Sequence, residues 1–225
     1  SFEAGAWDHS LDYGHDPYGG QGNHNLAVGD VDQDGNDEIM YGSAAIDHDG
    51  TGLYTTELGH GDAGHLGDLD PDRPGLEYYM CHEWSGPGIS FRDAGTGEII
   101  WEKGSGSDVG RGVAGDVSGD YRGAECWGLG SYNCKGDQID ISPSSTNFLV
   151  YWDGDINREL LNQNYIDDIE KGRLLSAEGY MSNNGTKATP NLSADLFGDW
   201  REEVIWKSWG NDEIRIYTTT EPTEY

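Results

Sequence analysis

Apolar residues along the chain come in short clusters divided by acidic, glycine-rich stretches, and the longest unbroken apolar run is Phe148 to Trp152. Short clusters bounded by Gly, Asp and Asn read as strands and turns. The pattern predicts strands at Glu38–Tyr41, Leu76–Met80, Ile89–Phe91, Ile99–Trp101, Glu203–Trp206 and Ile214–Tyr217. Asp49-Gly50, Gly95-Thr96-Gly97 and Asp153-Gly154 supply hairpin-type connections. One stretch, Asn157 to Lys171, has helix-like character.

The acidic stretches repeat. Gly29-Asp30-Val31-Asp32-Gln33-Asp34-Gly35-Asn36-Asp37-Glu38 recurs in looser form at Gly67–Glu77, Gly115–Glu125 and Ala194–Glu203, and Asp153-Gly154-Asp155-Ile156-Asn157 with Glu159 fills the longest gap. A unit of about 40 residues is the size of a four-stranded propeller blade, so the expectation is an all-β chain of four or five blades. A different all-β sheet protein with acidic turns is the plainer reading.

Composition sharpens this picture. With 42 Asp and Glu against 13 Lys and Arg, the formal charge is -29, which disfavours nucleic acid and anionic membranes as partners. No apolar run approaches the roughly 20 residues of a membrane helix. The 8 Trp, 13 Tyr and 4 Phe argue for a packed fold over disorder, and 35 Gly for many tight turns. Ser1 is followed by no charged or apolar leader segment. Cys81, Cys126 and Cys134 show no zinc spacing; a Cys126–Cys134 disulfide and free thiols are both open.

Clustered carboxylates invite a hard cation. Asp30, Asp32, Asp34 and Glu38 stand at positions 1, 3, 5 and 9 of a tight loop, a spacing that converges oxygens on calcium. Position 12, where an EF-hand carries Glu, is Tyr41, so the expected site is strand–loop–strand. The looser copies offer Asp68, Asp70 and Asp72, then Asp116, then Asp195. Asp and Gly that merely fill turns are the alternative.

Elsewhere the sequence is more specific. Gly22-Asn23-His24-Asn25-Leu26, His60-Gly61-Asp62-Ala63, Val109-Gly110-Arg111-Gly112, Asn184-Gly185-Thr186-Lys187-Ala188-Thr189-Pro190 and Asp199–Val204 together resemble the rhamnogalacturonan lyases of polysaccharide lyase family eleven. The likeness runs in order through essentially the whole chain. It implies a calcium-stabilised, eight-bladed β-propeller in which residues 1–225 supply about five blades as one domain, without the N-terminal blades and the strands that close the ring.

The resemblance further implies a secreted enzyme that uses several Ca2+ ions. Its substrate would be the pectic polysaccharide rhamnogalacturonan I, cleaved by β-elimination between rhamnose and galacturonate to leave a 4,5-unsaturated uronate. By match to the family motifs, His24 and His60 would help hold a calcium in the cleft. Arg111 would clamp the uronate carboxylate, and Lys187 would be the base, with the histidines and metal-bound water as alternatives. Asn184, Gly185 and Thr186 would line the sugar subsite, although Asn184-Gly185 is also a common turn dipeptide. Asp47 and Asp62 are nearby carboxylates of open role, and Trp84, Trp127 and Trp209 are candidate stacking surfaces. A non-catalytic calcium-binding module for glycan binding or assembly is the second reading; the joint presence of His24, His60, Arg111 and Lys187 favours the lyase.

Overall fold

The computed structural model describes residues 17–225. These form five antiparallel sheets. The first is β1 (Ala27–Gly29), β2 (Glu38–Tyr41), β3 (Ala44–Ile46) and β4 (Gly52–Thr55). The second is β5 (Gly61–Gly67), β6 (Glu77–His82), β7 (Gly86–Asp93) and β8 (Ile99–Ser105). The third has three strands, β9 (Val113–Gly115), β10 (Glu125–Gly128) and β11 (Gly130–Asn133). The fourth is β12 (Phe148–Val150), β13 (Glu159–Asn162), β14 (Tyr165–Asp168) and β15 (Gly172–Ser176). The fifth is β16 (Tyr180–Met181), β17 (Leu192–Ala194), β18 (Glu203–Ser208) and β19 (Ile214–Tyr217). No described helix is long and apolar enough to cross a membrane.

The chain divides into two compact units. Among the described residues, one comprises 17–114 and 122–140, the other 115–121 and 141–225. In the first unit β6 is buried on both faces, every residue from Glu77 to His82 lying inside. Alternation along β6 sends Tyr78 and Met80 into a core with Met40 and Ala45 of the first sheet. Tyr79 and Cys81 enter a second core with Phe91, Trp101, Ala124 and Cys126. Phe91 stacks on Trp101 at 5.2 Å. Full burial of a side chain such as Met80 or Phe91 contributes about 1.5–3 kcal/mol. The second unit has its own core of Val150, Trp152, Leu161, Ile166, Ala177, Tyr180, Val204 and Trp206.

Each sheet opens one strand on a buried glutamate, the second in the first four sheets and the third in the fifth: Glu38, Glu77, Glu125, Glu159 and Glu203 are all at most 2% exposed. Glu38, Glu77, Glu159 and Glu203 reach back to cap the preceding acidic loop. Glu38 accepts from the Val31 N–H at 3.0 Å, and Glu77 from Leu69 and Asp70 at 3.0 and 2.9 Å. Glu159 accepts from Trp152 at 2.7 Å and Glu203 from Leu196 at 2.8 Å. The repeated glutamate therefore shapes the loop from below; such bonds are strongest to the carboxylate, while burial raises the pKa of Glu77 and pushes that of Glu159 up to about 8.

Two expectations need correction, and the open state of the cysteines is resolved. Asn157–Lys171 is not helical: it holds β13 and β14, joined by Gln163-Asn164 with Gln163 at φ 50°, and pairing with β12 and β15 overrides local propensity. Trp127 is 3% exposed, its carbonyl accepting the Tyr79 hydroxyl, so it offers no surface to a sugar. Cys81, Cys126 and Cys134 are buried free thiols with no disulfide among them, and burial raises the pKa of each.

Candidate functional site

In the first unit, a bulge at the start of β5 begins the construction. Gly61 pairs with His82 and Ala63 with Cys81, which leaves Asp62 as the extra residue. Bulges re-aim side chains, and here the Asp62 carboxylate lies 3.2 Å from His24 Nε2. His24 arrives on a short parallel pairing of residues 22–25 with β5, in which Asn23 bridges Gly61 and the Gly61 N–H donates to the Gly22 carbonyl at 3.1 Å.

His60, just ahead of β5, presents Nε2 at 3.4 Å from His24 Nε2, with the rings edge to face at 4.9 Å. Glu83, just past β6, donates its N–H to the His60 carbonyl at 3.1 Å and places its carboxylate 3.3 Å from His60 Nε2. Two imidazole Nε2 atoms and the Glu83 carboxylate thus lie within 4.8 Å of one another. Whichever tautomers the rings adopt, two imidazole nitrogens converge with carboxylate oxygens, all metal-ligating groups, so the donor set fits a divalent ion. Oxygens from Asp62 and Glu83 suit calcium, while the two imidazoles equally suit a transition metal.

Arg111 is tied to the same strand end through its backbone. Its N–H donates to the Val109 carbonyl at 2.7 Å, and the Val109 N–H donates to His82 at 3.2 Å. His82 is fully buried against Ser90 Oγ at 2.8 Å; desolvation, with a smaller contribution from Arg92, pulls its pKa down to about 4.

The acidic loops differ in how well they fit calcium. In loop 30–38, Asp30 Oδ1 and Glu38 Oε1 are buried without a hydrogen bond from any described residue, and Asp30, Asp32 and Glu38 converge within 4.8 Å. Asp34 accepts from the Asn36 N–H at 2.8 Å and lies 3.4 Å from His48 Nδ1, which also contacts Asp47 at 2.7 Å. These orphaned oxygens fit a cation.

In the second loop, Lys135 Nζ already sits 2.5 Å from Asp70 and 3.1 Å from Asp72, and Arg122 lies 2.9 Å from Asp72. Asp68 remains exposed there. Lys171 plays the same part in the second unit, reaching Asp153, Asp155 and Asp168 at 2.6, 3.1 and 3.3 Å. Asp116 takes the Asn157 amide at 2.7 Å. Asp195 is filled by the N–H groups of Gly198, Asp199 and Trp200, which hold its pKa low.

Also in the second unit, Asn184–Lys187 occupy an excursion from a split strand. Met181 pairs with Lys207 and Leu192 with Ile205, so residues 182–191 stand opposite the single residue Trp206. Asn183 and Thr189 close its neck, and Gly185–Lys187 form one 3-10 turn. Asn184, Gly185 and Ala188 take φ of 61°, 55° and 53°; for Ala188 this left-handed conformation costs about 1–2 kcal/mol. Strain of this kind collects at functional sites. Asn147 Nδ2 fixes the turn by donating to the Thr186 carbonyl at 3.2 Å. Lys187 is exposed and forms no ion pair with any described residue. Of the other two tryptophans, Trp84 and Trp209 are exposed, the latter donating Nε1 to the Tyr180 carbonyl at 3.1 Å.

Sequence reasoning missed Glu83 as a partner of His60, since only the β5–β6 register pairs the two.

A family model described as rhamnogalacturonan lyase family 11, C-terminal domain, matches residues 4–225. The chain belongs to this family. It is 56% identical over 221 residues to rhamnogalacturonan endolyase YesW of Bacillus subtilis (strain 168), covering 94% of this chain and 36% of that protein. To rhamnogalacturonan exolyase YesX of the same organism it is 50% identical over 238 residues, covering 94% and 39%. The crystal structure of YesW superposes with a TM-score of 0.91 at 55% identity, covering 96% of this chain and 39% of that one. The chain therefore spans less than two fifths of the length of these family 11 relatives.

Proposed function

We propose that this chain is part of a calcium-dependent rhamnogalacturonan lyase that cleaves rhamnogalacturonan I by β-elimination. The observation that carries this reading is the convergence of His24, His60, Asp62 and Glu83 in a chain whose relatives are named rhamnogalacturonan lyases. Elimination needs the galacturonate carboxylate neutralised, the C5 proton removed and the departing O4 protonated. A divalent ion at the cluster would neutralise the carboxylate as a Lewis acid. His24, His60, Glu83 and Asp62 would hold that ion, and Arg111 would clamp the carboxylate as a fixed, always-charged fork.

Lys187 is the group assigned to take the C5 proton. Taking that proton requires the neutral amine; the side chain is exposed on a strained, hydrogen-bonded turn and no described carboxylate pairs with it. Asn184, Gly185 and Thr186 would meet the sugar beside it. Structural calcium is proposed for loop 30–38, where carboxylate oxygens lack partners, with Asp68, Asp70, Asp72, Asp116 and Asp195 as weaker contributors. The five sheets are read as five blades of a larger propeller, acting outside the cell where a polymeric pectin backbone is met.

The test is ultraviolet absorbance of the unsaturated uronate released from rhamnogalacturonan I, with calcium and then with excess chelator. A rise abolished by chelation supports the reading. A folded, calcium-loaded chain that binds the polysaccharide without cleaving it supports the glycan-binding alternative.

A further inference from the structure

The stitching of residues 21–25 onto β5 is done largely by side-chain amides. Gln21, 7% exposed, accepts from the Gly59 N–H through Oε1 at 3.0 Å. Asn25 makes a two-point contact with Gly64: Oδ1 accepts from the Gly64 N–H at 2.9 Å and Nδ2 donates to the Gly64 carbonyl at 2.6 Å. Backbone ties lie between these ends, the Gly61 N–H to the Gly22 carbonyl and the Asn23–Gly61 bridge. The amides thus stand where further ladder bonds would stand, one beside each end of the His24–His60 pair. Asn23 Nδ2 adds bonds to the Tyr78 hydroxyl at 2.9 Å and to Asn25 Oδ1 at 3.0 Å.

His24 itself is exposed, with 55% of its side chain open to solvent, so core packing does not hold its ring. Its place 3.2 Å from Asp62 and 3.4 Å from His60 Nε2 depends on where residues 22–25 sit along β5. Gly64 is adapted to this clamp: a Cβ there would meet the Tyr78 hydroxyl at 1.8 Å and Asn23 Nδ2 at 2.7 Å. Gly59 is fixed from both sides, since its carbonyl accepts the buried Ser43 hydroxyl at 2.7 Å.

We propose that Asn25 and Gln21 are positioning residues that set His24 against His60 and Asp62, and so fix the affinity of the cluster for its divalent ion. This rests on the reading of the cluster as a metal centre. Outer partners that orient a metal-ligating histidine typically contribute 10–100-fold in affinity. Asn25→Ala should therefore weaken the cluster by about that factor.

The experiment is calorimetric titration of the whole chain with calcium chloride, alongside NMR of the histidine rings and thermal unfolding in chelator. In Asn25→Ala the weakening should be confined to the binding event that His24→Ala abolishes, the His24 ring signals should shift, and the metal-free unfolding midpoint should hold. Gln21→Leu should act in the same direction, while Gln21→Glu, which keeps an acceptor for the Gly59 N–H, should retain most of the affinity. Wild-type affinity and unmoved His24 signals in both Asn25→Ala and Gln21→Leu overturn the proposal. So does a uniform loss of every calcium event together with a lower midpoint, which is the mark of a merely structural role. If His24→Ala leaves the wild-type isotherm unchanged, the metal-centre reading fails, and the positioning role falls with it.

Discussion

Asn183 and Thr189 exchange backbone hydrogen bonds, N–H to carbonyl in each direction at 2.7 and 3.1 Å, across the neck of the excursion that carries Lys187. The turn is therefore held by its own backbone and by Asn147 Nδ2, and no ion pair of the lysine side chain with a described residue supports it. Lys187→Ala should change unfolding free energy by less than about 0.5 kcal/mol. In a lyase assay the same variant should lose the unsaturated product. Retained activity would move the base to a histidine or to water.

Glu77 holds two loop N–H groups from a fully buried position. Bonds to a charged group contribute about 1.5–3 kcal/mol each, so Glu77→Ala should lower stability by roughly 3 kcal/mol or more. Glu77→Gln keeps one oxygen able to accept from both donors and should cost less than half as much. Denaturant unfolding of the two variants checks the order; equal losses would show that the charge, and not the acceptor geometry, matters.

His82 gives a pH signature. Its folded pKa of about 4 lies below the unfolded value of 6.5 because burial, and secondarily Arg92, disfavours the imidazolium. Between these values the unfolded chain binds more protons, so this stability is present above pH 6.5 and is lost progressively as pH falls towards 4. Replacing His82 with Gln should flatten that part of the stability–pH curve, and an unchanged slope would rule out His82 as its source.

Lys135 and the acidic loop beneath it predict a trade between ammonium and metal. Lys135→Ala frees Asp70 and leaves Asp72 paired only with Arg122. In chelator this should lower stability, because the Asp70 side chain, only 2% exposed, is left without its ammonium. Calcium should then stabilise the variant by a larger increment than the wild type, with one more equivalent bound. An identical increment in both proteins would show that the lysine does not stand in for a cation.

Much of the sheet architecture was readable because turns bound it. Glu38–Tyr41 and Ile214–Tyr217 coincide with β2 and β19, each lying between glycine- or acid-rich connections. Asn157–Lys171 misled because its charged and apolar residues alternate irregularly; the deciding features were the left-handed Gln163 and a buried Glu159 pairing with Val150. Within the site, His24, His60 and Asp62 all lie in family motifs, but a bulge sets Asp62 against His24 and a register brings in Glu83. Neither leaves a mark in local sequence. Likewise, the acidic loops look alike as strings, and the difference lies with Lys135 and Lys171, which come from elsewhere in the chain.

The split strand of the fifth sheet also has a consequence for exchange between relatives. Met181 and Leu192 take alternate rungs on β18, opposite Lys207 and Ile205, so the sheet's facing pattern is the same whatever lies between them. A segment of another length or sequence could be spliced in at residues 182–191 with the flanking alternation left in phase. That makes this stretch a natural cassette, a place where a relative's segment could be exchanged while keeping one scaffold.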